Sequence, residues 1–314
     1  MKPLFIINRR VPVWSQVIFC LIVVSLIAGS TAALAHEGER IYPIFEITDD
    51  MLELIDLKDD GVEEWEELWE PSLTTLDFTR EVFDGRTSTR EIVSNDPSDL
   101  DFRIWVGWND THNRLYVSGQ LADDIYLREG TRRHAPDYMN FYVDGDHTGG
   151  QYHLLTGDRY RDNYAQAQAY WAPFPWDREL PIEMGYNSFG ERYQSAWAGE
   201  FPYAYGRNSA EGENPVVWNV EFYITPFAVV DYDPEDSLVS ELERGKVIGF
   251  YIAVGDGDME EEAGNFYKLD EGVGNPNWNA DVFVDGVLLG IGEFVEGSAV
   301  QPSSWGMIKA SLSY

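Results

Sequence analysis

Between Leu100 and Gly150 the chain alternates apolar and polar side chains with a period of two, and this constrains the fold more than any other feature. Leu100, Phe102, Ile104, Val106 and Trp108 fall on one face of an extended segment. Asp101, Arg103, Trp105 and Gly107 fall on the other. Asn109-Asp110-Thr111-His112-Asn113 is turn chemistry, because Asn and Asp bond their own backbone and tolerate left-handed angles. The chain returns through Arg114 to Leu121, with Leu115, Val117, Gly119 and Leu121 inward. Tyr138 to Val143 is a third alternating run, ending in the loop Asp144-Gly145-Asp146-His147-Thr148-Gly149-Gly150. Half-buried strands joined by such loops form the nucleus of a β-sandwich.

The rest of the chain extends that sheet. Leu73 to Arg80 reads as its first strand, after a flexible segment His36 to Tyr42. Thr48 or the aspartates beside it cap a short helix over Met51 to Ile55, and Val62 to Trp69 gives a second helical turn. Gly85 to Pro97 is loop composition. Trp218, Val220, Phe222 and Ile224 make a strand stopped by Pro226, and Pro234 to Leu242 holds one helical turn. Lys246 to Val254 is nearly all apolar, as a central strand covered on both faces would be. Ala280 to Val284, an Asp285-Gly286 turn and Val287 to Leu289 read as a closing hairpin. Thr156 to Pro215 is aromatic, acidic and rich in Gly and Pro; within it Ala165 to Trp171 alternates. The expected fold is all-β: a β-sandwich of jelly-roll or immunoglobulin-like form, with long irregular loops and one or two short helices. One domain over 41–295 is expected, followed by a tail at 296–314 in which Ser304 to Leu312 adds a final strand.

Residues 1–35 have the three parts of an export signal. Lys2, Arg9 and Arg10 are a basic start, Val17 to Ala28 a short apolar core, and Ala33-Leu34-Ala35 a small-residue cleavage site. Cleavage after Ala35 is expected; an uncleaved N-terminal anchor is the alternative. The only cysteine, Cys20, lies inside that segment, so the mature chain forms no disulfide and uses no thiolate. The segment removes three bases and no acids, leaving 22 − 3 = 19 basic against 55 acidic residues, or −36. Such a charge repels nucleic acid and anionic membranes. An aromatic content of 14% argues against disorder despite the acidity.

Several motifs occur in a fixed order. Asp60-Gly61 leads to Trp65, followed by Asp101-Phe102-Arg103-Ile104-Trp105-Val106-Gly107-Trp108. Next come Leu115-Tyr116-Val117 running into Ala122-Asp123-Asp124, then Tyr142-Val143-Asp144-Gly145-Asp146 and Glu221-Phe222-Tyr223-Ile224-Thr225-Pro226. Gly249-Phe250 to Asp256-Gly257-Asp258 closes the series. In this order the chain, from about Ile41 to Gly290, resembles the family 9 carbohydrate-binding modules and their DOMON-like relatives. The resemblance implies a β-sandwich, a sugar cleft flanked by tryptophans, and structural calcium. Thr156 to Pro215 has no counterpart in the motifs, so they do not place the sugar-contacting tryptophans.

Asp144, Asp146 and Thr148 stand at alternate positions of a glycine-bearing loop, a spacing that lets oxygens converge on a hard cation such as calcium at ~2.4 Å. Turn-forming Asp and Gly alone would also explain the loop. Asp256 and Asp258 form a second metal candidate, against a solvated acidic run continuing through Glu260 to Glu262. Trp171, Trp176, Trp197 and Trp278 lie in or beside irregular segments, where an indole offers a flat face to a sugar's C–H surface or else pins a loop to the sandwich. Trp108 and Trp218 are in phase with core faces and are expected to pack.

No Gly-x-Ser-x-Gly elbow, phosphate loop or zinc-helix motif occurs. The resemblance, the tryptophans beside irregular segments and the export signal together imply non-catalytic binding of a mono- or oligosaccharide, outside the cell, in the periplasm or at the cell surface, with calcium as cofactor. A structural or adhesive module without a small ligand is one alternative. The other is a b-type haem domain using Met139 or Met184 with His134 or His153.

Overall fold

The computed structural model describes residues 40–55, 65, 77–79, 83–86, 96–125, 137–173, 183–184, 203–207, 215–231, 234–257, 265–269, 274–291 and 293. All lie in the second of the two units into which the chain divides, His36–Tyr314. Its strands are β1 (Ile41–Glu46), β2 (Asp77–Thr79), β3 (Asp84–Arg86), β4 (Leu100–Asn109), β5 (Arg114–Asp123), β6 (Tyr138–Asp144), β7 (Gln168–Pro173) and β8 (Glu183–Met184). They continue with β9 (Tyr203–Arg207), β10 (Val216–Ile224), β11 (Phe227–Val229), β12 (Leu238–Val239), β13 (Val247–Asp256), β14 (Asn265–Leu269) and β15 (Val284–Leu289). One short helix, α1 (Asp49–Leu52), is capped by the Thr48 hydroxyl, which accepts from Met51 N at 3.4 Å.

The expected sandwich is present. One run of strands is β8-β7-β6-β13-β15 and the other β4-β5-β10-β9, and β1 lies between β15 and β4 so that hydrogen bonding passes from one half to the other. The alternation in β4 and β5 does what period two dictates: Leu100, Phe102, Ile104, Val106, Trp108, Leu115, Val117 and Leu121 all enter the main core. Met139, Phe141 and Val143 of β6 and Phe250, Ile252 and Val254 of β13 fill it from the opposite half. The halves touch closely at Gly119, where an added Cβ would come 3.1 Å from the Met139 sulfur. Trp108 and Trp218 are core residues as expected, and Trp108 Nε1 donates to Leu289 O at 3.0 Å. The other faces of β1, β4 and β5 build a second core of Phe45, Ile47, Trp65, Trp105, Tyr116 and Leu289.

Several boundaries differ from the sequence reading. Ile41 and Tyr42 are not flexible: they open β1, which precedes β2, the short described part of the Leu73–Arg80 run. Parallel pairing to β15 and β4 holds β1, and such non-local pairing leaves no local turn signal. Asp84–Arg86 is a short strand rather than the start of a loop. Ala280–Val282 is a single 3-10 turn, and Asp285-Gly286 lies inside β15 instead of at a hairpin. Gly286 lies under close packing there, since a Cβ would fall 2.6 Å from Ile44 Cδ1 and push that side chain aside. The helical turn near Pro234 is a 3-10 turn over Pro234–Asp236, followed by β12. Thr156 to Pro215 is not irregular throughout, because β7, β8 and β9 fall within it. Val62 to Trp69 apart from Trp65, and Ser304 to Leu312, lie outside the described residues.

Candidate functional site

On the outer face of the β7-β6-β13-β14 half, one lateral row carries Trp171, Asn140, Ala253 and Lys268. Trp171, expected in or beside an irregular segment at the end of the alternating run from Ala165 to Trp171, is a strand residue of β7, half-buried, with the Tyr138 ring 6.4 Å away in a T-shaped contact. Gly255 pairs with Tyr138, and a Cβ there would come 2.2 Å from the tyrosine ring, so the ring lies across a glycine floor. Two residues beyond Asn140 along β6, roughly 7 Å from it, Tyr142 stands beside Tyr251.

Tyr142 ties a second tryptophan to this face. Its hydroxyl donates to Asn277 Oδ1 at 3.0 Å, and the Tyr152 hydroxyl donates to Pro276 O at 2.6 Å. Trp278 O accepts from Tyr152 N at 3.0 Å and His153 N at 3.3 Å, while Trp278 N donates to Asn275 O at 3.0 Å. The hook therefore has a fixed backbone, yet Trp278 keeps 44% of its surface exposed. An exposed indole on a fully bonded backbone is pre-ordered for a flat apolar ligand face. Leu154, next to His153, is 49% exposed with φ of 57°, an unusual conformation for a branched side chain. Periodicity gave no signal for Asn140 or Leu154. Trp176 and Trp197 lie outside the described residues.

A separate cluster joins the strand ends. Asp123 closes β5, Asp137 precedes β6 and Asp256 closes β13; they are 2%, 3% and 1% exposed, with one carboxylate oxygen from each lying within 4.8 Å of the others. Tyr138 pairs with Gly255, which sets Asp137 beside Asp256, and β5 brings Asp123 from the opposite half. Asp123 Oδ1 accepts from Ile125 N and Asp137 Oδ1 from Gly257 N, both at 2.9 Å. Buried carboxylates this close repel unless a proton or cation lies among them. Oxygens spaced up to 4.8 Å fit one calcium with ligands at roughly 2.4 Å. Of the expected pair only Asp256 takes part among the described residues; Asp258 lies outside them. Asp137 carried no motif in the sequence.

The structure does bring Asp144, Asp146 and Thr148 together. Asp144 accepts from Thr148 N at 3.3 Å and Gly149 N at 2.7 Å, and the Thr148 hydroxyl donates to Asp146 Oδ1 at 2.9 Å. Burial, reinforced by Asp146, pushes the Asp144 carboxyl up to about 7. Met139 sits in the main core and Met184 in β8. His153 stacks on Tyr164 at 4.6 Å, with burial lowering its basicity, and His134 lies outside the described residues.

No protein-family model matches the sequence, and no curated protein matches it in sequence. Solved structures do match in fold. A family 9 carbohydrate-binding module from Caldicellulosiruptor kristjanssonii, in complex with glucose, aligns over 82% of this chain and all of its own at 12% identity and a TM-score of 0.50. A module of that family from the same organism, in complex with cellotriose, aligns over 83% of this chain and 98% of its own at 12% identity, with a TM-score of 0.46. The fold is that of a family 9 carbohydrate-binding module.

Proposed function

We propose that the protein binds carbohydrate without transforming it, laying a saccharide against Trp278 and Trp171 on the outer face of the β7-β6-β13 half. One observation carries this reading: a 44% exposed indole held on a hook that is tied to the same face as Trp171 and Asn140. A pyranose has an apolar C–H face suited to indole and a rim of hydroxyls suited to amide and phenol groups. Lys268, half-buried in the Trp171 row, supplies a polar group for that rim. The module that shares the fold is in complex with glucose, so glucose and its oligomers are the first ligands to test.

Calcium joins this reading at Asp123, Asp137 and Asp256, where it would neutralise the buried carboxylates and lock β5 to the β6-β13 pair. The Asp144-Asp146-Thr148 loop is the second place for such an ion. The protein acts outside the cell, in the periplasm or at the cell surface, after removal of residues 1–35. No helix among the described residues is long and apolar enough to cross a membrane.

Calorimetric titration with mono- and oligosaccharides in the presence of calcium tests the proposal. Wild type binds, and Trp278→Ala weakens binding about tenfold or more, the equivalent of ~1.4 kcal/mol of lost stacking. Equal affinity in the variant would sink the assignment. Absence of any glycan binding, with self-association, would favour an adhesive module instead.

A further inference from the structure

The outer face of the other half is polar where a second core would be expected to be dry. Its cross-strand rows set Trp105 beside Ser118 and Ser118 beside Glu221, then Arg103 beside Gln120 and Gln120 beside Asn219. Trp105 and Ser118 are fully buried, Glu221 and Asn219 nearly so. Gln120 Nε2 donates to Asn219 Oδ1 at 3.2 Å, and the Arg103 guanidinium lies 4.8 Å from the Trp105 ring centre. The Trp105 indole nitrogen and the Ser118 hydroxyl are sealed from solvent with no hydrogen-bond partner among the described residues. So is the indole nitrogen of Trp65, a member of the same core.

We infer that Trp65, Trp105 and Ser118, beside the Glu221 carboxylate, form an enclosed site for a hydroxyl-bearing guest. Buried donors left unmade are costly, and two indole N–H groups with a serine hydroxyl call for an acceptor. A simple anion is opposed by Glu221, and a cation by the two indole N–H groups. An apolar guest satisfies none of the groups. A hydroxyl oxygen accepts from the two indoles through its two lone pairs and gives its own proton to the Ser118 oxygen. Ordered water and a small polyol share this chemistry. The site is remote in sequence and sheet from Trp171 and Trp278, so it stands or falls apart from the saccharide reading.

The sign of one substitution tests it. If Ser118 bonds a guest, Ser118→Ala lowers Tm by about 2–4 °C; if the hydroxyl has no partner, removing it leaves Tm unchanged or raises it, which overturns the inference. A high-resolution crystal structure provides the second readout. An oxygen about 2.7–3.2 Å from both Trp105 Nε1 and Ser118 Oγ supports the site. Isolated oxygen density in both untreated and glycerol-soaked crystals identifies water, and carbon-linked density in the soak alone identifies a polyol. No density in either crystal overturns the inference.

Discussion

At Asp144 the chain buries a carboxylate at the end of β6 and spends both its oxygens on the backbone of the following loop. Burial outweighs those bonds and holds the folded carboxyl near 7, against an ordinary value of 3.8. The folded protein therefore keeps this proton more tightly than the unfolded chain. The resulting stability is fully present below about pH 4 and is lost as pH rises towards 7. Asp144→Asn cannot titrate, so wild type should lose stability relative to the variant between pH 4.5 and 7.5. Urea unfolding in chelator at several pH values measures this, and parallel pH profiles would contradict it. At this scale the sequence was partly legible: Asp-x-Asp-x-Thr identified a loop whose side chains converge, but not that Asp144 would be enclosed. The next residue, Gly145, packs closely against Ser240, where an added Cβ would lie 2.9 Å from the serine Cβ and the serine hydroxyl donates to Gly145 O at 2.6 Å.

Among the elements, the hook around Trp278 depends on tyrosines from elsewhere in the chain. Tyr142 is 135 residues away in sequence from its partner Asn277, and Tyr152 is 124 from Pro276. Tyr142→Phe removes one hydroxyl and little packing. It should weaken saccharide binding severalfold while shifting Tm by no more than ~2–4 °C, as expected for one hydrogen bond. Paired calorimetry and melting curves separate the effects; unchanged affinity would mean that the bond does not position the tryptophan. Strands with clean alternation, such as β4 and β5, were legible because their period fixes both faces at once. β1 was not, because its support is two parallel neighbours distant in sequence. The Asp-Gly pair in β15 looked like a turn, whereas its glycine answers to Ile44 and Phe250 crossing over it.

For the whole molecule, the balance of 19 basic against 55 acidic residues after residue 35 sets a general repulsion that the core must overcome. Asp123, Asp137 and Asp256 concentrate that repulsion where strand ends from both halves meet. A bound cation would turn it into a cross-link, so calcium should raise Tm by several degrees and chelator reverse the gain, by mass action on the folded state. Asp137→Asn should abolish the dependence, and a melting midpoint indifferent to calcium in wild type would remove the metal from the account. This cluster was only half legible, since its members are 14 and 119 positions apart and converge only through strand pairing. The sandwich, by contrast, followed from side-chain alternation alone. The claim that joins fold to function is that Trp171 and Trp278 serve one saccharide on one face. Calorimetric titration of each single alanine variant with the best-binding saccharide tests it most directly. The account predicts one site per wild-type chain, with affinity reduced in both variants; wild-type affinity in either one, or a second site surviving unchanged, would contradict it.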